Sequence, residues 1–317
     1  MKRFIGFVLV LAMIFPAAYA VSPTDTLGDV ENEVIAYLAE AHPEIDLHTT
    51  EYVCYLVDQL CSNADKDLEN HVSDYDAFCT YASEYVIYAE TPADEFSGLP
   101  AEILQKTAAE RENELAIAAI EREEKVQAML ASNESTTYEL GYYNPLTAAR
   151  YAIQHSATSN YNKNYPNYHS GGDCTNFVSQ CLVAGGISMS FSPTPHPDLY
   201  DTTDYWYHYY NDDGMYYYNY TTSWIRVDDL YVYLVGHRHA VSMTYTLNNV
   251  LQQAKVGDII QISRNGGNSY YHSYIVSSCN NGVRICAHTT DRTDELLRDA
   301  VAGESNLTYR IIRPYYA

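Results

Sequence analysis

The sequence predicts an α+β protein, with a mostly helical N-terminal region ahead of a mixed C-terminal domain. Two observations carry that expectation. The first is charge: the 317 residues have a formal net charge of −23, but residues 21–134 hold 26 acidic and 5 basic side chains, against 15 and 11 in residues 135–317. Such a step marks a boundary. The second is pattern: helical spacing of apolar residues gives way, after a polar stretch at 133–137, to a Tyr-, Ser-, Asn- and Gly-rich mixture with strand and hairpin signals. The acidic balance argues against a nucleic-acid partner, which needs a Lys/Arg surface. With 47% hydrophobic residues, the chain has enough apolar content to build a core.

Residues 1–20 read as a signal peptide: Lys2 and Arg3, an apolar run over 4–15, then Ala18-Tyr19-Ala20 before the expected cut. No later segment reaches about 18 apolar residues. The mature chain is expected to be secreted, with no membrane anchor after cleavage. Residues 21–134 are expected to be helical, with Pro43 and Pro92 as breaks and one long helix over 100–132 that starts at Pro100. The role expected for this half is to position, mask or tether the other, and a chain starting near Ser135 is expected to fold alone. Its histidines lack ligand spacing, so no metal is expected.

The chemistry is expected in residues 135–317. Of seven cysteines, Cys174 stands apart, in Gly171-Gly172-Asp173-Cys174-Thr175-Asn176-Phe177-Val178-Ser179-Gln180. The glycines make a turn, Asp173 can cap a helix, and Gly185-Gly186 ends it. Cys174 then sits in the first turn, where free N–H groups and the helix dipole favour a thiolate. Cys181, seven residues on, is about 10.5 Å away and beyond disulfide reach. In the acidic half, the same geometry excludes Cys54–Cys61, which makes Cys54 or Cys61 with Cys79 the expected bridge.

A nucleophilic cysteine needs a base, and the base an orienting group. His272 opens an expected strand over 272–278, and 283–288 returns after the turn at Asn280-Asn281-Gly282. A three-residue turn puts Tyr274 opposite His288, so that His272 and His288 share a face. A two-residue turn flips the parity and brings Asp291 opposite His272 instead. His288 is the expected third residue, with Asp291 as the alternative. The aromatic insert that includes Trp206 and Trp224 reads either as a wall of the substrate groove, with Asp173 nearby, or as a strand pair over the core.

Residues 171–180, Tyr142-Tyr143-Asn144, the Ala148–Ala152 segment, Gly257-Asp258, His272-Ser273 and Ala287-His288-Thr289 resemble the bacterial putative amidase domain family. More distantly, the layout is similar to the NlpC/P60 and CHAP branches of the papain-like fold. The resemblance covers roughly residues 138–315. It implies a papain-like domain in residues 135–317, with Cys174 as nucleophile, His272 as base and His288 as orienting residue. The reaction it implies is amide hydrolysis in cell-wall peptide or peptidoglycan, without a cofactor. The rival reading is a non-catalytic wall- or carbohydrate-binding or adhesion protein on the same fold.

Overall fold

The computed structural model describes residues 25–90, 97–132, 143–168, 173–194, 196, 199–211, 217–304 and 306–314. The expected signal peptide, the polar stretch after Ser132 and the Gly171-Gly172 turn lie outside the described residues.

The acidic half is helical: α1 (Leu27–Ala41), α2 (Thr50–Ser62), α3 (Leu68–His71), α4 (Tyr75–Tyr88), α5 (Ala101–Leu104) and α6 (Ala108–Ala131). The expected single helix over 100–132 is two. Thr107 accepts from the Glu110 N–H while Glu110 reaches back to the Thr107 N–H, a capping box that starts a new helix where the composition alone reads as continuous. Leu115 and Val126 of α6 are buried, but Ile117 and Ile120 of the same helix are exposed.

The second half begins with α7 (Pro145–His155) and α8 (Asp173–Ala184). Gly185 follows α8 because a Cβ there would come within 2.5 Å of the Tyr143 ring. Next comes a small sheet of β1 (Leu199–Tyr200), β2 (His208–Asn211) and β3 (Tyr217–Thr221), then α9 (Thr222–Ile225) and α10 (Val227–Val232). The rest is β4 (Val241–Tyr245), α11 (Leu247–Gln253), β5 (Ile259–Ser263), β6 (His272–Ser278), β7 (Arg284–Ala287), β8 (Arg292–Leu296), α12 (Leu297–Ala300) and β9 (Thr308–Arg313). These strands form one antiparallel sheet, in the order β4-β9-β5-β6-β7-β8. No described helix is long and apolar enough to cross a membrane.

The period of two along the central strands splits the sheet into two apolar faces. Ile259, Ile275, Cys286 and Ile312 pack with Phe177, Val178 and Leu182 of α8. Their alternates Ile260, Ile262, Tyr274, Val276, Ile285 and Ile311 pack with Val53, Leu56, Leu60 and Phe78 of the acidic half. The step in charge is therefore not a step in packing. α2 and α4 supply one side of the core, with Arg292 of β8 bound to Asp58 of α2 at 2.6 Å. The expectation that a chain starting near Ser135 folds alone runs against this shared core. Each large apolar side chain stripped of that cover costs about 1.5–3 kcal/mol, and a domain is stable by only about 5–15 kcal/mol.

Candidate active site

Cys174 lies in the first turn of α8, as its glycine-flanked setting predicts, and is 2% exposed. It packs with Val227 and Tyr270, and its Sγ is 3.7 Å from Thr175 Oγ1. Thr175 begins a buried polar chain: its Oγ1 is 3.1 Å from Ser273 Oγ, and Gln261 Nε2 donates to Ser273 Oγ at 3.3 Å and to the Val227 carbonyl at 2.8 Å. Arg310 then donates to Gln261 Oε1 and to Asp228, with its guanidinium 3.8 Å from the ring centres of both Tyr231 and Tyr270. Arg122 of α6 closes the chain on Asp228 at 2.6 Å.

Burial decides the state of the thiol. Desolvation, followed by the nearby Glu90 carboxyl, pushes Cys174 well above the ordinary thiol range. That reverses the expected lowering. A helix N-terminus contributes about 0.3–1 kcal/mol, less than one pKa unit, whereas full burial moves a group by up to about 3–5 units. In this state Cys174 is a thiol.

Asp173 is buried and hydrogen-bonds to His288 Nδ1 at 2.5 Å. It also accepts from the Tyr168 N–H at 3.2 Å and Asn176 Nδ2 at 2.6 Å. His288 Nε2 is 2.8 Å from the His155 carbonyl, and the ring is stacked between Tyr161 (3.8 Å) and Phe177 (4.0 Å). Asp173 thus holds a histidine and does not line an open groove, as was expected of it.

His272 is placed differently. It pairs with Ile262, its ring lies 4.6 Å from that of Tyr274, and it shares the pleat of Tyr274 and Val276, which face the acidic helices. Ser273, the next residue, is the one that meets α8. His272 and Cys174 are therefore on opposite faces of β6, and the expected pair is not brought together. Neither ring nitrogen of His272 has a hydrogen-bond partner among the described residues. Burial lowers its pKa to about 3, so the ring is neutral.

The register explains why His272 and His288 do not share a face. Near the turn, Ser278 pairs with Arg284, as the three-residue turn requires, but a bulge follows and Val276 pairs with Ile285 and Ile275 with Cys286. Continued from there, the ladder sets His288 opposite Ser273 and not opposite Tyr274, and a slip of one residue exchanges the faces. Asp291, the alternative, bonds Thr158 and the Tyr161 hydroxyl. It supports the ring that covers His288 and has no bond to His272.

Trp206 and Trp224 are fully buried behind α8, their rings 4.9 Å apart, and donate to Ser179 Oγ (3.1 Å) and Asn176 Oδ1 (2.8 Å). They brace the helix and form no groove wall. The insert's other reading holds in part: β2 and β3 are a strand pair, although the side chains of residues 210–218 lie outside the description. All seven cysteines are free, so the expected bridge to Cys79 is not formed. Among the described residues no His, Cys, Asp or Glu cluster could hold a metal ion.

The family described as "Putative amidase domain" matches residues 142–312, more than half of the chain. The chain belongs to the putative amidase domain family. No curated protein and no solved structure matches it. Membership points to hydrolysis of an amide bond, and the amidase segment contains α7, α8, both histidines and nearly all of the polar chain from Cys174. Outside it lie Arg122 and a residue that sequence reasoning passed over, Glu90. Glu90 is 2% exposed, and its Oε2 accepts from the Val227 N–H at 3.2 Å. The pairing of Asp173 with His288 was also not foreseen. Its sequence signal was present, as a carboxylate beside the cysteine and a histidine two residues past an inward-facing Cys286.

Proposed function

We propose that this protein is a secreted cysteine amidase, built on a papain-like domain, that cleaves an amide bond in cell-wall peptide, with Cys174 as its nucleophile. The single observation that carries the reading is Cys174 in the first turn of α8, packed on the antiparallel sheet inside the amidase segment. At that position the Cys174 N–H is free of the helix ladder and suits a developing oxyanion. His288 is proposed as the base and Asp173 as its orienting group, because His288 contacts the same helix as Cys174 and His272 faces away. In the reactive arrangement Nδ1–H of His288 stays on Asp173, while Nε2 leaves the His155 carbonyl, gives its proton to water and, as a free lone pair, takes the thiol proton. The thiolate attacks the carbonyl carbon, the imidazolium returns its proton to the leaving amine, and water frees the acyl group from sulfur. Cell-wall peptide is the substrate class implied by the family resemblance and the signal-peptide pattern.

The test is mass spectrometry of purified peptidoglycan incubated with the mature protein. New amine and carboxylate ends are expected, and a Cys174→Ala protein is expected to lower their rate at least about 10³-fold. Equal product from both proteins would remove the reading.

A further inference from the structure

We propose that the acidic helical region holds the amidase site closed through Glu90, whose carboxyl occupies the place at Cys174 where the carboxylic product of amide hydrolysis would lie. The inference rests on Cys174 being the nucleophile. Glu90 follows the end of α4, outside the amidase segment, yet it is buried against residues of that segment. Its Oε2 is held by the Val227 N–H, and Val227 packs directly with Cys174 and Tyr270. Its Oε1 is buried with no hydrogen-bond partner among the described residues. A carboxyl bonded on one oxygen only and fully desolvated is costly to keep. Among the described residues no salt bridge compensates it: Arg226 and the acidic Asp228 and Asp229 act on it only at longer range.

The placement has two consequences for the thiol. Glu90 and its neighbours keep water and substrate away, and the loss of hydration disfavours the thiolate. Moving Glu90 aside frees the Val227 N–H, which is then a donor for the incoming carbonyl or the departing carboxylate. The acidic half thereby acts on the catalytic cysteine through one side chain, besides completing the core.

The experiment is a timed iodoacetamide pulse on the mature protein, with the alkylated cysteines mapped by peptide mass spectrometry. Wild type is expected to label slowly at Cys174. Glu90→Ala is expected to label there about ten-fold faster or more, the factor given by one pKa unit of thiolate regained when water enters the vacated space. Added propionate should slow that labelling back toward the wild-type rate by refilling the place. Glu90→Gln, which keeps the volume and an acceptor for Val227, should stay slow. Glu90→Ala labelling as slowly as wild type would overturn the gate. So would labelling that spreads equally to the core thiols Cys61, Cys79, Cys181 and Cys286, since that reports a general loss of packing. Fast labelling of Glu90→Ala without amide hydrolysis would support the gate and remove the amidase reading alone.

Discussion

The two faces of the central sheet are built from the same strands and differ in what they do with polar groups. On the α8 face, Thr175, Ser273, Gln261, Arg310 and Asp228 hand hydrogen bonds from one to the next, and Asp173 satisfies His288. On the face toward α2 and α4, His272 is buried among tyrosines and aliphatic side chains with both ring nitrogens unbonded. The difference teaches where to look for chemistry. A buried polar group that is satisfied by its neighbours is positioned, whereas one that is merely enclosed is tolerated.

The severest way to break the comparison is to remove one face's cover. A chain starting near Ser135 should lose cooperative unfolding or be insoluble, because α1–α4 supply one whole side of the core. A sharp melting transition in that fragment would show the two faces to be independent. Next is the histidine exchange. His288→Ala should abolish amide hydrolysis and lower stability by about 3–5 kcal/mol, since it leaves Asp173 buried without its partner. His272→Leu should keep activity and change stability by no more than about 1–3 kcal/mol, in the stabilising direction, because it deletes an unsatisfied buried group. Denaturation curves and a single amide substrate separate the two, and the reverse ranking would return the base role to His272.

A gentler probe is pH. The pKa of His272 is lowered to about 3 from an ordinary 6.5. The unfolded chain therefore binds the proton first as pH falls, and the contribution of a neutral His272 is present above 6.5 and lost between there and about 3. His272→Leu should flatten the acid limb of a stability-against-pH curve. Glu90 has the opposite sign. Burial raises its pKa, so the folded form keeps the proton longer and stability falls as pH rises above the ordinary carboxyl range. Glu90→Gln should flatten the alkaline side, and an unchanged slope there would mean that Glu90 is solvated.

Much of this arrangement was legible in the chain. Pro43 and the apolar spacing marked α1 and α2, and the Gly-Gly-Asp-Cys run located α8 and the cysteine in its first turn. What was hidden depends on contacts between distant segments. Glu90 has no local signature, because only the fold brings the end of α4 against Val227. His272 and His288 part for a different reason: hairpin parity runs outward from the turn, and a bulge inside a strand leaves no mark in the pattern of residue types. Charge is silent about packing because it records what faces water, whereas the sheet's second face is covered by the apolar sides of acidic helices.

The bulge between Val276 and Ser278 has a consequence for how such a chain tolerates changes in length. Substitutions in the hairpin alter one side chain at a time, but gaining or losing a single residue inside a paired stretch re-deals every side chain beyond it. Deleting Ser277 would remove the extra residue and leave His288 opposite Ser273, so that the change falls on the tip side of the bulge, whereas deleting one residue between Ile285 and His288 would send His288 toward the acidic helices. The hairpin can therefore lengthen or shorten at its exposed tip with little harm, whereas the paired stretches from Ser273 to Val276 and from Ile285 to His288 are fixed in residue count.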